Sequence, residues 1–392
     1  MSPSPAQKKS MLVAGVMSGT SADGIDVALC RISPARPRPH IELIRHRAFP
    51  YPAKLREAVL GSMDARNTSA AELARLNWRL GEQYGDAVQA AAQGYVLDLV
   101  GCHGQTIYHQ GIAKPYAGRS IACTWQLGEP ALIAAAVHAP VVSNFRPADM
   151  VAGGQGAPLV PLLDATLFAH PHRARVLQNL GGIANLTLVP PGGALDQLIA
   201  FDTGPANMVI DALAQQLFGK PYDRGGRLAA AGTANDSVVT ALLRDPYYRH
   251  PPPKSAGREQ YGAAFVERVL SLARRRRLLP HDILATATAL TSRSIAVAWQ
   301  QFVAPRIGGA SVDYIVAGGG ARNLTLMRML AADLAPFGCR IQTTDDHGIP
   351  SEAKEAVAFA LLAWQTWHRL PGNVPAATGA ARPAILGQIT YV

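Results

Sequence analysis

An apolar strand, a glycine turn and a second apolar strand open this chain at residues 12–32, and the same grammar returns at residues 175–189. Residues 12–16 run into Gly15-Val16-Met17-Ser18-Gly19-Thr20-Ser21-Ala22-Asp23-Gly24-Ile25-Asp26, and residues 25–32 continue as the next strand. Residues 175–180, Gly181-Gly182 and residues 184–189 repeat the arrangement. Residues 198–201 then lead into Asp202-Thr203-Gly204-Pro205-Ala206-Asn207. Strand, glycine turn, strand is a hairpin start. It argues against a Rossmann or Walker-type opening, where a helix follows the glycines. Two such starts, one in each half, predict an α/β chain of two similar lobes.

The loops at 15–26 and 202–207 share a chemistry. Each offers bare backbone amides, hydroxyls and a carboxylate at a turn, which is what holding a polyphosphate and its metal requires. One such loop is weak evidence; two suggest lobes closing on ATP. In the first, Gly15, Gly19 and Gly24 let backbone approach a phosphate, and Ser18, Thr20 and Ser21 supply hydroxyls. Asp23 and Asp26 suit a magnesium ion, held directly or through water. The competing reading is a tight hairpin whose aspartates cap turns. In the second loop, Asp202 suits a general base acting on a bound nucleophile. The competing reading is an N-cap for the next helix, which is the weaker one because Thr203 and Pro205 could do that job.

A chain of 392 residues has room for two or three domains. Its 36 glycines and 29 prolines fall mostly between apolar runs, which predicts many short loops rather than disorder. The net charge of +10 is scattered. Its densest cluster, residues 274–277, lacks aromatic interleaving and reads as a solvated helix end, so no nucleic-acid partner is expected. Positive charge suits an anionic substrate such as ATP. Cys30, Cys102, Cys123 and Cys339 have no metal-ligand spacing and read as small hydrophobes in a reducing compartment. Residues 1–10 are polar, without a signal-peptide core, and read as a disordered tail. The apolar run at 131–142 is too short to span a bilayer and is broken by His138 and Pro140. Cytoplasmic residence, with no membrane partner, is the default.

Further along, Ser69 and Glu72 have capping-box spacing ahead of a helix with the stripe Leu73, Leu76, Leu80, Tyr84 and Val88. Residues 96–100 predict a strand ending in a polar loop, Gly101-Cys102-His103-Gly104-Gln105-Thr106, where open α/β sheets place ligands. His103 reads more readily as structural than as catalytic. Arg146 suits clamping a carboxylate or phosphate. Gly318-Gly319-Gly320 either admits a base or ribose to the backbone or is a plain strand-to-helix turn. A last helix, apolar nearly all round, is expected from an N-cap at Ser351 to about residue 367; Glu355 in its first turns caps it or lines a cleft.

Taken in order, these motifs resemble the signature of the anhydro-N-acetylmuramic acid kinases. They are residues 15–21 with Asp23-Gly24-Ile25-Asp26, His103-Gly104-Gln105-Thr106, Asn144-Phe145-Arg146 and Gly153-Gly154-Gln155-Gly156-Ala157-Pro158. Residues 179–187, Phe201-Asp202-Thr203-Gly204-Pro205, residues 318–323 and residues 355–360 complete the series. The matches span about residues 12–365, and the ordered series is far more specific than any member. The resemblance implies two similar ribonuclease H-like lobes of the actin, hexokinase and Hsp70 type around an interdomain ATP cleft. The lobes are expected at 1–155 plus 365–392 and at 156–364. It further implies that ATP, magnesium and water convert 1,6-anhydro-N-acetylmuramic acid to N-acetylmuramic acid 6-phosphate and ADP in peptidoglycan recycling, by a homodimer.

Carried over by motif, Asp202 would be the base that activates water. Gly19, Thr20, Ser21, Ala22, Asp23, Gly24, Ile25 and Asp26 would hold ATP, with Gly181, Gly182, Gly204, Gly318, Gly319, Gly320 and Asn323. Thr106, Arg146 and Glu355 would contact the sugar and its lactyl carboxylate. Ala22 stands where a larger apolar residue is usual, and Ala206 replaces a common glycine. Residues 33–40 and 251–253 read as loop elaboration. The alternatives are a sugar or acid kinase of the same fold without ring opening, and an ATP-gated binding protein like the Hsp70 nucleotide domain.

Overall fold

Residues 11–16 are buried one after another, without alternation. Only a strand covered on both faces accommodates that. In the computed structural model, which describes residues 10–19, 22–63, 65 and 67–392, this strand (β1, Met11–Ser18) lies inside a mixed sheet. It pairs antiparallel with β2 (Gly24–Ser33), and β2 pairs antiparallel with β3 (His40–Pro50). The hairpin start is therefore present. Helices α1 (Ala53–Ser62) and α2 (Ala70–Ala91) follow. Ser69 caps α2, its side chain accepting from the Glu72 amide at 3.1 Å, as the spacing predicts. Leu76, Leu80, Tyr84 and Val88 bury the stripe against the sheet.

The next strand differs from expectation. β4 (Leu99–Tyr116) does not end at Gly101; it passes through residues 101–106 and turns back as β5 (Arg119–Leu127) in a long hairpin. Gly104 reads as a turn residue, but its φ of +77° marks an irregularity within the strand. Helix α3 (Pro130–Val137), strand β6 (Val141–Ser143) and helices α4 (Arg146–Val151) and α5 (Pro161–Phe168) complete this stretch. β1 pairs parallel with β4, and β4 parallel with β6.

The second stretch builds its own sheet. β7 (Ala174–Leu180), β8 (Ile183–Val189) and β9 (Ile199–Pro205) pair antiparallel in series. Helix α6 (Asn207–Phe218) follows, then α7 (Ala263–Arg275) and α8 (Pro280–Ala298). β10 (Val312–Ala317) pairs parallel with β7, and after α9 (Leu324–Leu334) β11 (Arg340–Thr343) pairs parallel with β10. Within the first sheet, which β5 beside β4 and a last short strand beside β6 extend to seven strands, the order runs β6-β4-β1-β2-β3; the second sheet has five strands in the order β11-β10-β7-β8-β9. Each runs two parallel neighbours, then two antiparallel ones, around its first strand. The repeated grammar of the sequence is thus a repeated topology.

The chain then returns to the first sheet. Helix α10 (Lys354–Trp367) is buried along almost its whole length, and β12 (Gln388–Thr390) pairs antiparallel with β6. α10 begins at Lys354 after a turn at residues 351–353, so Ser351 is not its N-cap. α10 packs backbone against backbone. A Cβ at Gly15 would stand 1.9 Å from Ala356 O, and one at Gly101 2.2 Å from Phe359 O. The compact units are Met1–Leu167 with Ala353–Val392, and Phe168–Glu352. Both boundaries differ from 155/156 and 364/365, the second because α10 covers β1 and β4. Among the described residues, no helix is long and apolar enough to cross a membrane. The four cysteines are free, Cys30 and Cys102 being fully buried.

Candidate functional site

In the first unit the β1–β2 loop is held from below by a buried polar network. Ser18 Oγ lies 2.7 Å from Gln105 Oε1, 2.8 Å from the Tyr51 hydroxyl and 3.1 Å from Gly24 O. Gln105 Nε2 donates to Gly19 O at 3.1 Å, and the Tyr51 and Tyr84 hydroxyls are 3.0 Å apart. From α1, Arg56 donates to Ala22 O at 3.1 Å and to Asp23 Oδ1 at 3.3 Å. Thr20 and Ser21 lie outside the described residues. Ala22 is buried with φ +52°, and the Ile25 side chain is in the core, so these two offer only backbone to a ligand. Asp23 is exposed; Asp26 is bonded to His46 Nε2 at 2.9 Å. Gly15 and Gly24 have their missing Cβ explained by packing, Gly24 because Phe49 O would stand 2.3 Å away.

Arg146, at the start of α4, meets the His103 ring. Its Nε and Nη2 lie 3.0 and 2.9 Å from His103 Nε2, and Nη1 donates to Gly156 O at 2.8 Å. A guanidinium only donates, so His103 accepts on Nε2 and is neutral. Burial, with Arg146 adding to it, holds that imidazole well below its ordinary range. His103 is thereby a support for Arg146, in line with its structural reading. Burial lowers the guanidinium to about 10, against the pull of Glu355 and Asp149, and it stays cationic at neutral pH. One turn on, Asp149 is fully buried. It accepts from Gly156 N at 2.8 Å and from Asn373 and Thr378 at 2.7 Å each, fixing the loop that supplies Gly156 O.

Glu355 projects from the first turn of α10. It reaches solvent, yet protein is packed densely around it; that surrounding raises its carboxyl, Lys354 and Arg146 lower it, and Asp26 raises it. Arg146 and Asp26 are thus close enough to Glu355 to influence its charge. Lys354 forms a buried ion pair with Asp164 of α5 at 2.7 Å, which fixes the start of α10. Thr106 is half-buried on β4 and accepts from Gln126 at 3.1 Å.

In the second unit, three loops converge. Gly181 O accepts from Asn207 N at 3.0 Å; Gly182 O accepts from Ala206 N and Met208 N at 3.1 and 3.0 Å. Asn207 Nδ2 donates to Leu180 O at 3.1 Å. Gly318, with φ +85°, and Gly320 press on Leu180, where a Cβ would meet atoms at 2.9 and 2.6 Å. Gly319 is more open, its nearest such neighbour being Asn207 Nδ2 at 3.9 Å. Asn323 caps α9 and abuts Gly226. Gly204 is walled by Ser294 and Tyr248, so packing accounts for its bare Cα.

Asp202 lies within β9, which runs on through the expected loop to Pro205. It sits beside the register shift at Ala184/Asn185, on the outer strand of the sheet. Its amide donates to Lys254 O at 3.1 Å, its carbonyl accepts from the Tyr247 hydroxyl at 2.7 Å, and its Oδ2 accepts from Ala256 N at 2.8 Å. It is half-buried rather than sealed in the interior. Burial pushes its carboxyl up to about 7; the Ala256 amide and Lys254 pull down, and Glu259 pushes up. A carboxylate near neutrality with one oxygen already bonded has the makings of a general base.

Sequence reasoning missed Gln105, Asp149, Lys354 and Lys254. Gln105 stood inside a quoted motif, which was the available signal. The others gain their roles from contacts distant in sequence.

Residues 11–392 match the family profile described as anhydro-N-acetylmuramic acid kinase. The anhydro-N-acetylmuramic acid kinase of Bacillus cereus (strain AH187) is 44% identical over 386 residues, covering 97% of this chain and 99% of its own. That of Salinibacter ruber is 45% identical over 383 residues, covering 96% of each. Among solved structures, an activator of 2-hydroxyisocaproyl-CoA dehydratase from Clostridium difficile is similar over 92% of this chain and 96% of its own, with 13% identity and a TM-score of 0.42.

Proposed function

We propose a reaction for this chain, which belongs to the anhydro-N-acetylmuramic acid kinase family: ATP-dependent opening and phosphorylation of 1,6-anhydro-N-acetylmuramic acid, in peptidoglycan recycling. The observation that supports it best is the carboxyl of Asp202, raised to about 7 and held by one oxygen. In this reading Asp202 takes a proton from water. The water oxygen bonds to the anomeric carbon, and the bond from that carbon to the bridging oxygen breaks. The freed oxygen takes the γ-phosphoryl group as its bond to ADP breaks. The products are N-acetylmuramic acid 6-phosphate and ADP, and the proton passes from Asp202 to solvent. Phosphoryl transfer itself asks mainly for positioning and charge neutralisation.

Arg146 would pair with the lactyl carboxylate, its fork pre-set by His103 and Gly156, and Thr106 and Glu355 would contact the sugar. Gly19 to Asp26, Gly181, Gly182, Gly204, Gly318 to Gly320 and Asn323 are proposed for ATP. Among the described residues, no group of three or more His, Cys, Asp or Glu side chains could hold a metal ion. Magnesium, however, is commonly held by one or two carboxylates together with substrate phosphates and water. Asp23 and Asp26, which here meet Arg56 and His46, would supply that share of a site, and the ion would neutralise phosphate charge. The finer fold reading, two ribonuclease H-like lobes of the actin, hexokinase and Hsp70 type, is supported by the strand order the two sheets share. Homodimer formation and cytoplasmic residence are proposed on family membership alone.

Labelled water tests the reaction. With anhydro-sugar, ATP and oxygen-18 water, mass spectrometry is expected to find the label at the anomeric hydroxyl of the phosphorylated product. Phosphorylation with the ring intact would favour the kinase without coupled hydrolysis. A pH profile tests the base. Below about 7 the Asp202 carboxyl holds its proton and cannot accept another, so kcat/KM for the sugar is expected to fall on the acid side with an apparent pKa near 7. A limb at pH 5 or below would remove Asp202 from that role. Arg146→Lys replaces a planar fork by a point charge that cannot match both His103 and Gly156. It is expected to raise KM for the sugar by roughly 10–100-fold, with a smaller change in KM for ATP. Equal changes in the two KM values would count against a sugar contact.

A further inference from the structure

Lys254 follows three prolines on a segment whose composition reads as loop elaboration, yet it is buried. Its ammonium donates to the carbonyls of Tyr247 at 3.0 Å and Tyr248 at 3.4 Å. It lies 4.7 Å from the ring centres of Tyr247 and Phe302 and 5.6 Å from that of Phe201. Taking an ammonium out of water is costly, and ring faces with two carbonyls offset part of that cost. A space-filling role would be met more cheaply by an apolar side chain.

The bonds show what the cation gathers. β9 is an outer strand, and the segment 254–256 runs along its free edge in place of a further strand. Lys254 O accepts from the Asp202 amide, Ala256 N donates to Asp202 Oδ2, and the Tyr247 hydroxyl donates to Asp202 O. All three contacts come from the stretch 247–256, and the Lys254 side chain ties the two ends of that stretch together. Phe201 in its cage is the residue before Asp202.

We propose that Lys254 is a positioning residue for the reaction: it locks the stretch 247–256 against β9 so that Ala256 occupies one oxygen of Asp202 and the other is presented to water. The proposal rests on the reading of Asp202 as the base. Facing Asp202 are Lys254 and Tyr247 from this stretch and Glu259 from the turn after it. The cation favours the ionised carboxylate and Glu259 opposes it. Burial lowers Lys254 itself to about 8, so it is largely charged at neutral pH.

The test uses the full chain with Lys254→Met and Lys254→Gln, beside Asp202→Asn. Both lysine variants are expected to lose about 100-fold in kcat, as misplacement of a reacting group by an ångström does. KM for ATP is expected to change by less than about threefold, since the loss falls on the transition state. Without the cation the acid limb is expected to move up by about one pH unit. A residue that merely stabilises the fold would move neither the limb nor the balance of kcat and KM. Folded variants with wild-type kcat and an unmoved limb overturn the proposal. So does failure of both variants to fold, which marks Lys254 as structural. If Asp202→Asn keeps its turnover, the base reading falls first. If Asp202→Asn is inactive while both lysine variants behave as wild type, only the role of Lys254 falls.

Discussion

Asp202→Asn is expected to lower kcat by roughly 1,000-fold or more, while ATP binding, read by calorimetry, changes by less than about threefold. The amide keeps an oxygen to accept from Ala256 N, so the local fold has no reason to change; it lacks only the ability to take a proton. Stability should move the other way. The carboxyl's folded-state value of about 7 lies above its ordinary 3.8, so the folded state holds the proton more tightly than the unfolded chain. The resulting penalty on folding is absent below the ordinary value, grows as pH rises through that window and is complete above about 7. Asn does not titrate. The variant is therefore expected to match wild type at pH 4 and to exceed it above pH 7, by on the order of 1–2 kcal/mol once solvent contact is counted. Denaturation at the two pH values measures this. Turnover within tenfold of wild type would end the base assignment.

Gly15→Val should abolish the folding of the first unit. The new Cβ would enter the backbone of α10, 1.9 Å from Ala356 O and 2.6 Å from Ala360 N, and neither strand nor helix has a flexible end to move aside. Clashes of this kind cost upwards of about 4 kcal/mol, a large share of a domain's stability. Insoluble expression, or rapid proteolysis of the first unit, is the expected readout. Gly61→Ala is the control. It lies in α1 with nothing within 4 Å of the new methyl, so a gain of about 0.5–1 kcal/mol is expected from helix propensity. A soluble Gly15→Val protein melting as wild type would show that α10 does not rest on β1 in this way.

Local pattern carried much of this fold into view. β1, β2, β7 and β8 follow from runs of branched apolar residues broken by glycine, and the Ser69 cap follows from its spacing to Glu72. The β4–β5 hairpin was not legible. His103, Gln105 and Gln110 interrupt the apolar alternation, and Gly104 looks like the end of a strand that in fact continues. Ser351 suits a cap, but α10 begins at Lys354, where its packing against β1 and β4 starts. At the site, the residue types were readable and their supports were not. Asp202 and Arg146 advertise themselves by type and setting. Lys254, Asp149 and Gln105 become meaningful only through bonds to distant stretches, as when Gln105 reaches Gly19 or Asp149 reaches Thr378.

The first unit is made of two stretches, Met1–Leu167 and Ala353–Val392, with all of Phe168–Glu352 between them. A ribosome delivers the later-numbered sheet entire before it supplies α10. Until then, the surfaces of β1 and β4 that carry Gly15 and Gly101 have no lid. Biosynthesis therefore passes through a half-finished state with greasy surface in water, the species on which chaperones act. A premature stop codon near position 350 would strand the molecule there.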